Sequence, residues 1–137
     1  MDDSPADRDL TADVLGKTKW HFHVNTADDG AEAIFFLRRQ GRYAGAPSPE
    51  LIVLDLNLPR RDGRQVLAEV KADPRLAKIP VVIFSTSQAT SDIARCYQLG
   101  ANSYLRKPGN LADFVATVQF MADFWLGIAI LPHKENR

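Results

Sequence analysis

Residues 50–56, ELIVLDL, form a nearly continuous apolar run closed by a carboxylate. A strand with one wet face alternates apolar and polar side chains, whereas a strand covered on both faces reads as an unbroken apolar stretch. The run therefore predicts a parallel strand inside a sheet with helices on both sides. Residues 79–87, IPVVIFSTS, repeat the pattern, and residues 101–108, ANSYLRKP, give a shorter strand running into Lys-Pro. Residues 20–24, WHFHV, are aromatic and partly alternating, and are also expected as a strand.

Helical patterns fall between these runs. In SPADRDLTADVLG (4–16), Ser4 is placed to cap a helix that Pro5 begins, with Leu10, Val14 and Leu15 near one face. A second helix is expected from about Ala31 to Gln40, with Ile34, Phe35 and Leu37 inward and Gly41 ending it. RQVLAEVKAD stops near Asp73-Pro74, and SDIARCYQLG closes at Gly100. The last helix carries Leu111, Phe114, Val115, Val118, Met121 and Trp125 at helical spacings. Alternating strands and helices without repeats indicate a doubly wound α/β domain, because parallel strands need helical crossovers.

The length of 137 residues fits one domain, and 45% apolar residues suffice for a core. Seventeen basic residues balance seventeen acidic ones, which gives no support for nucleic-acid binding. The acidic N-terminus does not read as a signal peptide, and no apolar run approaches the ~20 residues of a bilayer span. The single cysteine, Cys96, excludes an internal disulfide and suits a reducing compartment, so a cytoplasmic location is expected. Cys96 itself is expected as buried filler.

Ligands of open α/β sheets collect at the C-terminal ends of the strands. There the three runs deliver Asp55, then Ser85-Thr86, then Lys107-Pro108. If the strands are neighbours, a carboxylate, a hydroxyl and an ammonium converge on one crevice. Each also has an ordinary explanation: Asp55 could cap a turn, Lys107 could be a solvated loop lysine, and Ser85 could be turn chemistry. A carboxylate ending a hydrophobic strand is costly to desolvate without compensation, which Lys107 and a divalent cation could supply. His21 and His23 share a strand face but lack a third ligand, and Arg60 and Arg61 read as a solvated loop.

LIVLDLNLPRRDG, IPVVIFSTS and GANSYLRKP, in this order and spacing, resemble the receiver domain of two-component response regulators. The likeness covers essentially the whole chain. DDSPAD, DGAEAIFFLRRQGRY and DFWLGIAILP add a resemblance to small single-domain regulators that partner bacterial phytochrome histidine kinases. The resemblance implies a flavodoxin-like fold in which Asp55 is the phosphoacceptor. It implies that Asp2, Asp3, Asp55 and the backbone carbonyl of Asn57 hold Mg²⁺. Ser85 would contact the phosphoryl group, Lys107 would pair with its oxygens, and Tyr104 would change rotamer on activation. Pro59, Asp62 and Gly63 match the turn after the acceptor strand, and Pro108 matches a family proline expected to be cis.

The sequence departs from that pattern at its start. The acidic pair of a receiver follows a central strand, yet only Met1 precedes Asp2. The expectation is a gap between the WHFHV and ELIVLDL strands, explained first by a missing start, or else by another segment filling it, such as a strand exchanged from a second copy, or by a rearranged sheet. Residues 1–137 are read as one receiver domain with an apolar extension at 125–137, and Phe124, Trp125, Leu126, Ile128, Ile130 and Leu131 are assigned to a homodimer contact. No output domain follows, so the signal would leave through protein contacts or phosphate shuttling. The chain would assist its own phosphorylation and dephosphorylation without turning over external substrates. Two rivals stand beside this reading: a phosphorylation-independent pseudo-receiver acting as an interaction module, and a hydrolytic phosphatase.

Overall fold

A computed structural model describes residues 1–17, 23–59 and 61–132. The sheet among these residues has three parallel strands in sequential order: β1 (Ile52–Leu54), β2 (Val81–Ser85) and β3 (Ser103–Arg106). Leu54 pairs with Ile83 and Ser85 with Arg106, so the C-terminal ends of all three strands lie together. All five residues of β2 are buried, as its unbroken apolar run requires.

The helices are α1 (Pro5–Gly16), α2 (Gly30–Leu37), α3 (Gly63–Ala72), α4 (Thr90–Gln98) and α5 (Leu111–Ala122). Ile34 and Leu37, Val66, Leu67 and Val70, and Cys96 pack on one sheet face with Ile52, Leu54, Val81 and Ile83. Val14 of α1 and Phe114, Val118 and Met121 of α5 cover the other with Val82 and Phe84. Cys96 is fully buried and is the expected filler. Ser4 caps α1 as expected, its Oγ accepting the Asp7 N–H.

Several expectations are corrected. The α2 helix ends at Leu37 because Arg39, not Gly41 alone, takes a left-handed φ of 55°. Ala33, Ile34 and Leu37 are its buried residues, and Phe35, rotated about 150° from the centre of that face at 3.6 residues per turn, is half exposed. Leu111 lies ahead of the first buried turn of α5 and is exposed. All described peptide bonds are trans, including Lys107–Pro108. Trans is favoured before proline by about 0.5–1 kcal/mol, and Lys107 reaches its partners without the cis form. The α5 helix continues into a wide π-turn at Asp123–Ile128. Leu111–Ile128, at 18 residues and mean hydropathy 1.3, is after all long and apolar enough to cross a membrane by length and composition. Phe114, Val118 and Met121 of this stretch are buried and pack on the sheet.

The expected WHFHV strand lies partly outside the described residues; His23 and Val24 are exposed and in no strand. The gap beside β1 is bridged at one rung. The Met1 amine donates to the Val53 carbonyl at 2.8 Å. The Asp55 N–H donates to the Met1 carbonyl at 2.9 Å, and the Asp2 N–H to the Ala27 carbonyl at 3.0 Å. Below that rung lies a cavity of about 430 Å³, walled by Leu15, Val24, Phe36, Leu37, Leu51 and Phe84 among others.

Candidate functional site

The site assembles at the C-terminal end of the sheet, and each side chain arrives by a local cause. Asp55 follows β1 directly and is 6% exposed. Its Oδ1 accepts the Asn57 N–H at 3.2 Å, a local turn that holds the carboxylate at the strand's end. Gly63 is required there: a Cβ would stand 2.3 Å from the Asp55 carbonyl oxygen and 2.6 Å from Leu56 Cα. Asp2 is drawn in by its backbone bond to Ala27, and its Oδ1 accepts the Ser4 N–H at 3.0 Å. Lys107 is tied to β2 through its N–H, which donates to the Ser85 carbonyl at 2.8 Å.

The Lys107 ammonium is the hub. It donates to Asp2 at 2.7 Å, to Asp55 at 2.8 Å and to Asp7 at 2.9 Å, all through Oδ2. Burial works against its charge, but the bonds to Asp2, Asp55 and Asp7 outweigh that and raise its pKa. Burial raises the pKa of Asp2, with the Lys107 bond opposing it. The buried Met1 amine is pushed down to about 6, with Asp2 and Asp55 opposing. The sequence expectation that Lys107 compensates Asp55 therefore has a direct geometric counterpart.

Asp2, Asp3 and Asp55 each offer a carboxylate oxygen, and those oxygens lie within 4.8 Å of one another. Three hard anionic donors that close, with Asp2 and Asp55 buried, suit a hard divalent cation. Without a cation, at least three carboxylates share one ammonium, and the mutual repulsion is incompletely cancelled.

Ser85 is completely buried, and its Oγ accepts the Ser87 N–H at 3.3 Å. Tyr104, on β3, donates its hydroxyl to the Ser87 carbonyl at 2.9 Å, and burial raises its pKa. Ser87 also donates its hydroxyl to Asp92 at 2.7 Å, and Asp92 accepts Arg64 at 2.7 Å. A polar chain thus links Tyr104, the loop after β2, α4 and α3. Sequence reasoning missed Asp7, Ser87, Asp92 and Arg64. Asp7 stands in the first turn after Ser4, where a side chain leans back toward the helix N-terminus, a position it shares with any ordinary helix-start acid. His23 is exposed, and Arg61 Nη1 donates to both carboxylate oxygens of Glu69 at 2.6 and 2.7 Å rather than hanging free. His21 and Arg60 lie outside the described residues.

Residues 1–119 match the family model for the response regulator receiver domain. The chain belongs to that family. This receiver is 44% identical to the response regulator Rcp1 of Synechocystis sp. over 132 residues, 96% of this chain and 90% of that one. Among solved structures, the Mn²⁺-bound form of Rcp1 superposes with a TM-score of 0.94 at 44% identity, covering 97% of this chain and 96% of the other. The phosphorylated cyanobacterial phytochrome response regulator RcpA gives 0.94 at 45% identity, covering 97% and 95%. The bacteriophytochrome response regulator AtBRR gives 0.75 at 35% identity, covering 98% and 94%. The doubly wound, flavodoxin-like expectation is thereby met.

Proposed function

We propose that Asp55 is the phosphoacceptor of a two-component relay, taking its phosphoryl group from a histidine kinase that is phytochrome-linked. One observation carries the reading: Asp55 ends β1 beside Asp2, Asp3 and the buried Lys107 ammonium. A carboxylate oxygen of Asp55 attacks phosphorus, the P–N bond of phosphohistidine breaks, and an acyl phosphate forms. The leaving imidazole nitrogen takes up a proton. Phosphoryl transfer depends on positioning and charge neutralisation more than on covalent help from the protein. The short turn to Asn57 and the close approach of Gly63 supply the positioning.

Asp2, Asp3, Asp55 and the Asn57 carbonyl would hold Mg²⁺, which when bound neutralises charge on the phosphoryl oxygens. The likeness to a Mn²⁺-bound relative supports a cation at such residues. Lys107 pairs with the phosphoryl oxygens, and Ser85 Oγ turns toward them. Adding about two negative charges there draws on Ser85, and Tyr104, bonded nearby to Ser87, follows by a change of rotamer. The chain assists its own phosphorylation and dephosphorylation and has no external substrate to turn over. The setting is cytoplasmic, in keeping with the one buried, unpaired thiol.

The partner is a bacteriophytochrome kinase, a reading supported by the likeness to phytochrome regulators. A homodimer forms through Phe124, Trp125, Leu126, Ile128, Ile130 and Leu131, of which Phe124, Ile128 and Ile130 are exposed here. The domain is taken as residues 1–137 with 125–137 as the dimer extension. Incubation with acetyl phosphate and Mg²⁺ should add one phosphoryl group to the wild type and none to Asp55→Asn, read by intact mass. A wild type that stays unmodified sinks the proposal.

A further inference from the structure

The Lys107 ammonium has three N–H donors, and all three are committed: one each to Asp2, Asp55 and Asp7. For Lys107 to bind phosphoryl oxygens on Asp55, one of these bonds must be given up. The three acceptors are not equivalent. Asp2 and Asp55 belong to the tight carboxylate group with Asp3, and Asp7 does not. The Asp7 side chain is 34% exposed, against 11% for Asp2 and 8% for Asp55. Released, it returns to water at small desolvation cost, whereas the other two stay in a dry pocket. Its backbone is fixed independently by the Ser4 cap, so letting go of Lys107 does not unwind α1.

We propose that Asp7 is a positioning residue that parks the Lys107 ammonium in the unmodified site and yields it to the phosphoryl group. The inference rests on the phosphoacceptor reading of Asp55 and adds a competitor to it. Before transfer, Asp7 holds the lysine head in the acidic crevice, where the ammonium also bonds Asp2 and Asp55. An arriving phosphodonor must win that head away, and the exchange sets part of the donor's apparent affinity. Bonds to charged groups are among the stronger ones in a protein, so the competition is not negligible.

The test measures phosphorylation by acetyl phosphate in Mg²⁺, with KM and maximal rate separated, for wild type, Asp7→Asn, Asp7→Glu and Asp9→Asn. Asp9, 79% exposed on the same helix, controls for simple loss of a surface carboxylate. Asp7→Asn should lower KM about three- to tenfold with little change in maximal rate, since it frees one strong donor. The drop should persist in high salt, Asp7→Glu should restore the wild-type KM, and Asp9→Asn should have no effect. An unchanged KM in Asp7→Asn overturns the inference. So does a change that salt abolishes or that Asp9→Asn reproduces, because either marks a diffuse charge effect. An Asp7→Asn chain that does not fold also overturns it, by making the contact structural. A wild type that takes up no phosphoryl group overturns the reading of Asp55 instead.

Discussion

At the scale of single residues, the site holds more negative charge than its stability favours. Asp2 and Asp55 are buried, Asp7 half so, and one lysine serves all three. Removing one buried charge from such a set relieves repulsion, and the amide oxygen that Asp55→Asn introduces still accepts a bond from Lys107. Asp55→Asn should therefore raise the melting temperature in EDTA by roughly 3–5 °C, the equivalent of about 1 kcal/mol, and the gain should shrink in Mg²⁺. An unchanged or lowered melting temperature in EDTA would show the carboxylates to be balanced already. The opposite change, Lys107→Met, leaves the buried Asp2 and Asp55 without their ammonium partner, and breaking a buried pair costs about 3–5 kcal/mol. Urea unfolding in EDTA measures that loss, and Mg²⁺ should recover more of it than it adds to the wild type. Asp55 was legible in the sequence because it ends a hydrophobic strand, where charge is costly, and Lys107 because it stands at the end of a neighbouring strand. Asp7 was not, because nothing in a helical first turn distinguishes an ordinary helix-start acid from one that reaches a lysine 100 positions away.

At the scale of elements, strands β1 to β3 and all five helices follow the apolar periodicity, and what was misjudged lies at their ends. Phe35 was assigned inward beside Ile34 and Leu37 but lies off their face, and Leu111, at a helical spacing in the first turn of α5, is exposed. Nor does pattern show polar contacts between elements. Arg64 of α3 and the Ser87 hydroxyl of the β2–α4 loop meet at Asp92 of α4, with Tyr104 of β3 bonded to the Ser87 backbone. The Ser87 hydroxyl and then the Arg64 guanidinium hold the Asp92 carboxyl below its usual range. A carboxylate with a lowered folded pKa contributes stability that is fully present above the unfolded value, about 3.9. That contribution is lost as the pH falls through the lower folded value. Asp92→Asn should therefore lose stability at about pH 6–7 and approach the wild type as the pH falls below about 4. Urea midpoints measured across that range test this, and parallel curves throughout would show Asp92 to be uncoupled from titration.

At the scale of the whole molecule, a cavity lies beside β1 among the described residues. The acidic pair was expected to end a central strand, and Met1 and Asp2 do form one rung of such a strand between β1 and Ala27. In a parallel ladder, successive residues present their backbone groups to opposite edges. The Ile52 N–H donates to Pro80 on the β2 side, so Leu51 and Val53 face the cavity with theirs. Both are only half-buried, although they adjoin a fully buried β2. The 430 Å³ space is walled by apolar side chains from α1, α2 and β1. The Val53 carbonyl already accepts the Met1 amine; an extended apolar segment running parallel to β1 into Met1 would pair with the Val53 N–H and with Leu51, and fill that volume. Joining about five apolar, β-branched residues ahead of Met1 should raise unfolding stability by several kcal/mol, since about 25 cal/mol is gained per Å² of apolar surface buried. It should also sharpen cation binding, because Asp2 and Asp3 would then end a strand held on both edges. A Gly-Ser extension of the same length is the control. If both extensions leave the urea midpoint and Mg²⁺ affinity unchanged, the cavity is not a strand site. If only the apolar one raises them, the single rung at Met1 is the top of a fourth strand.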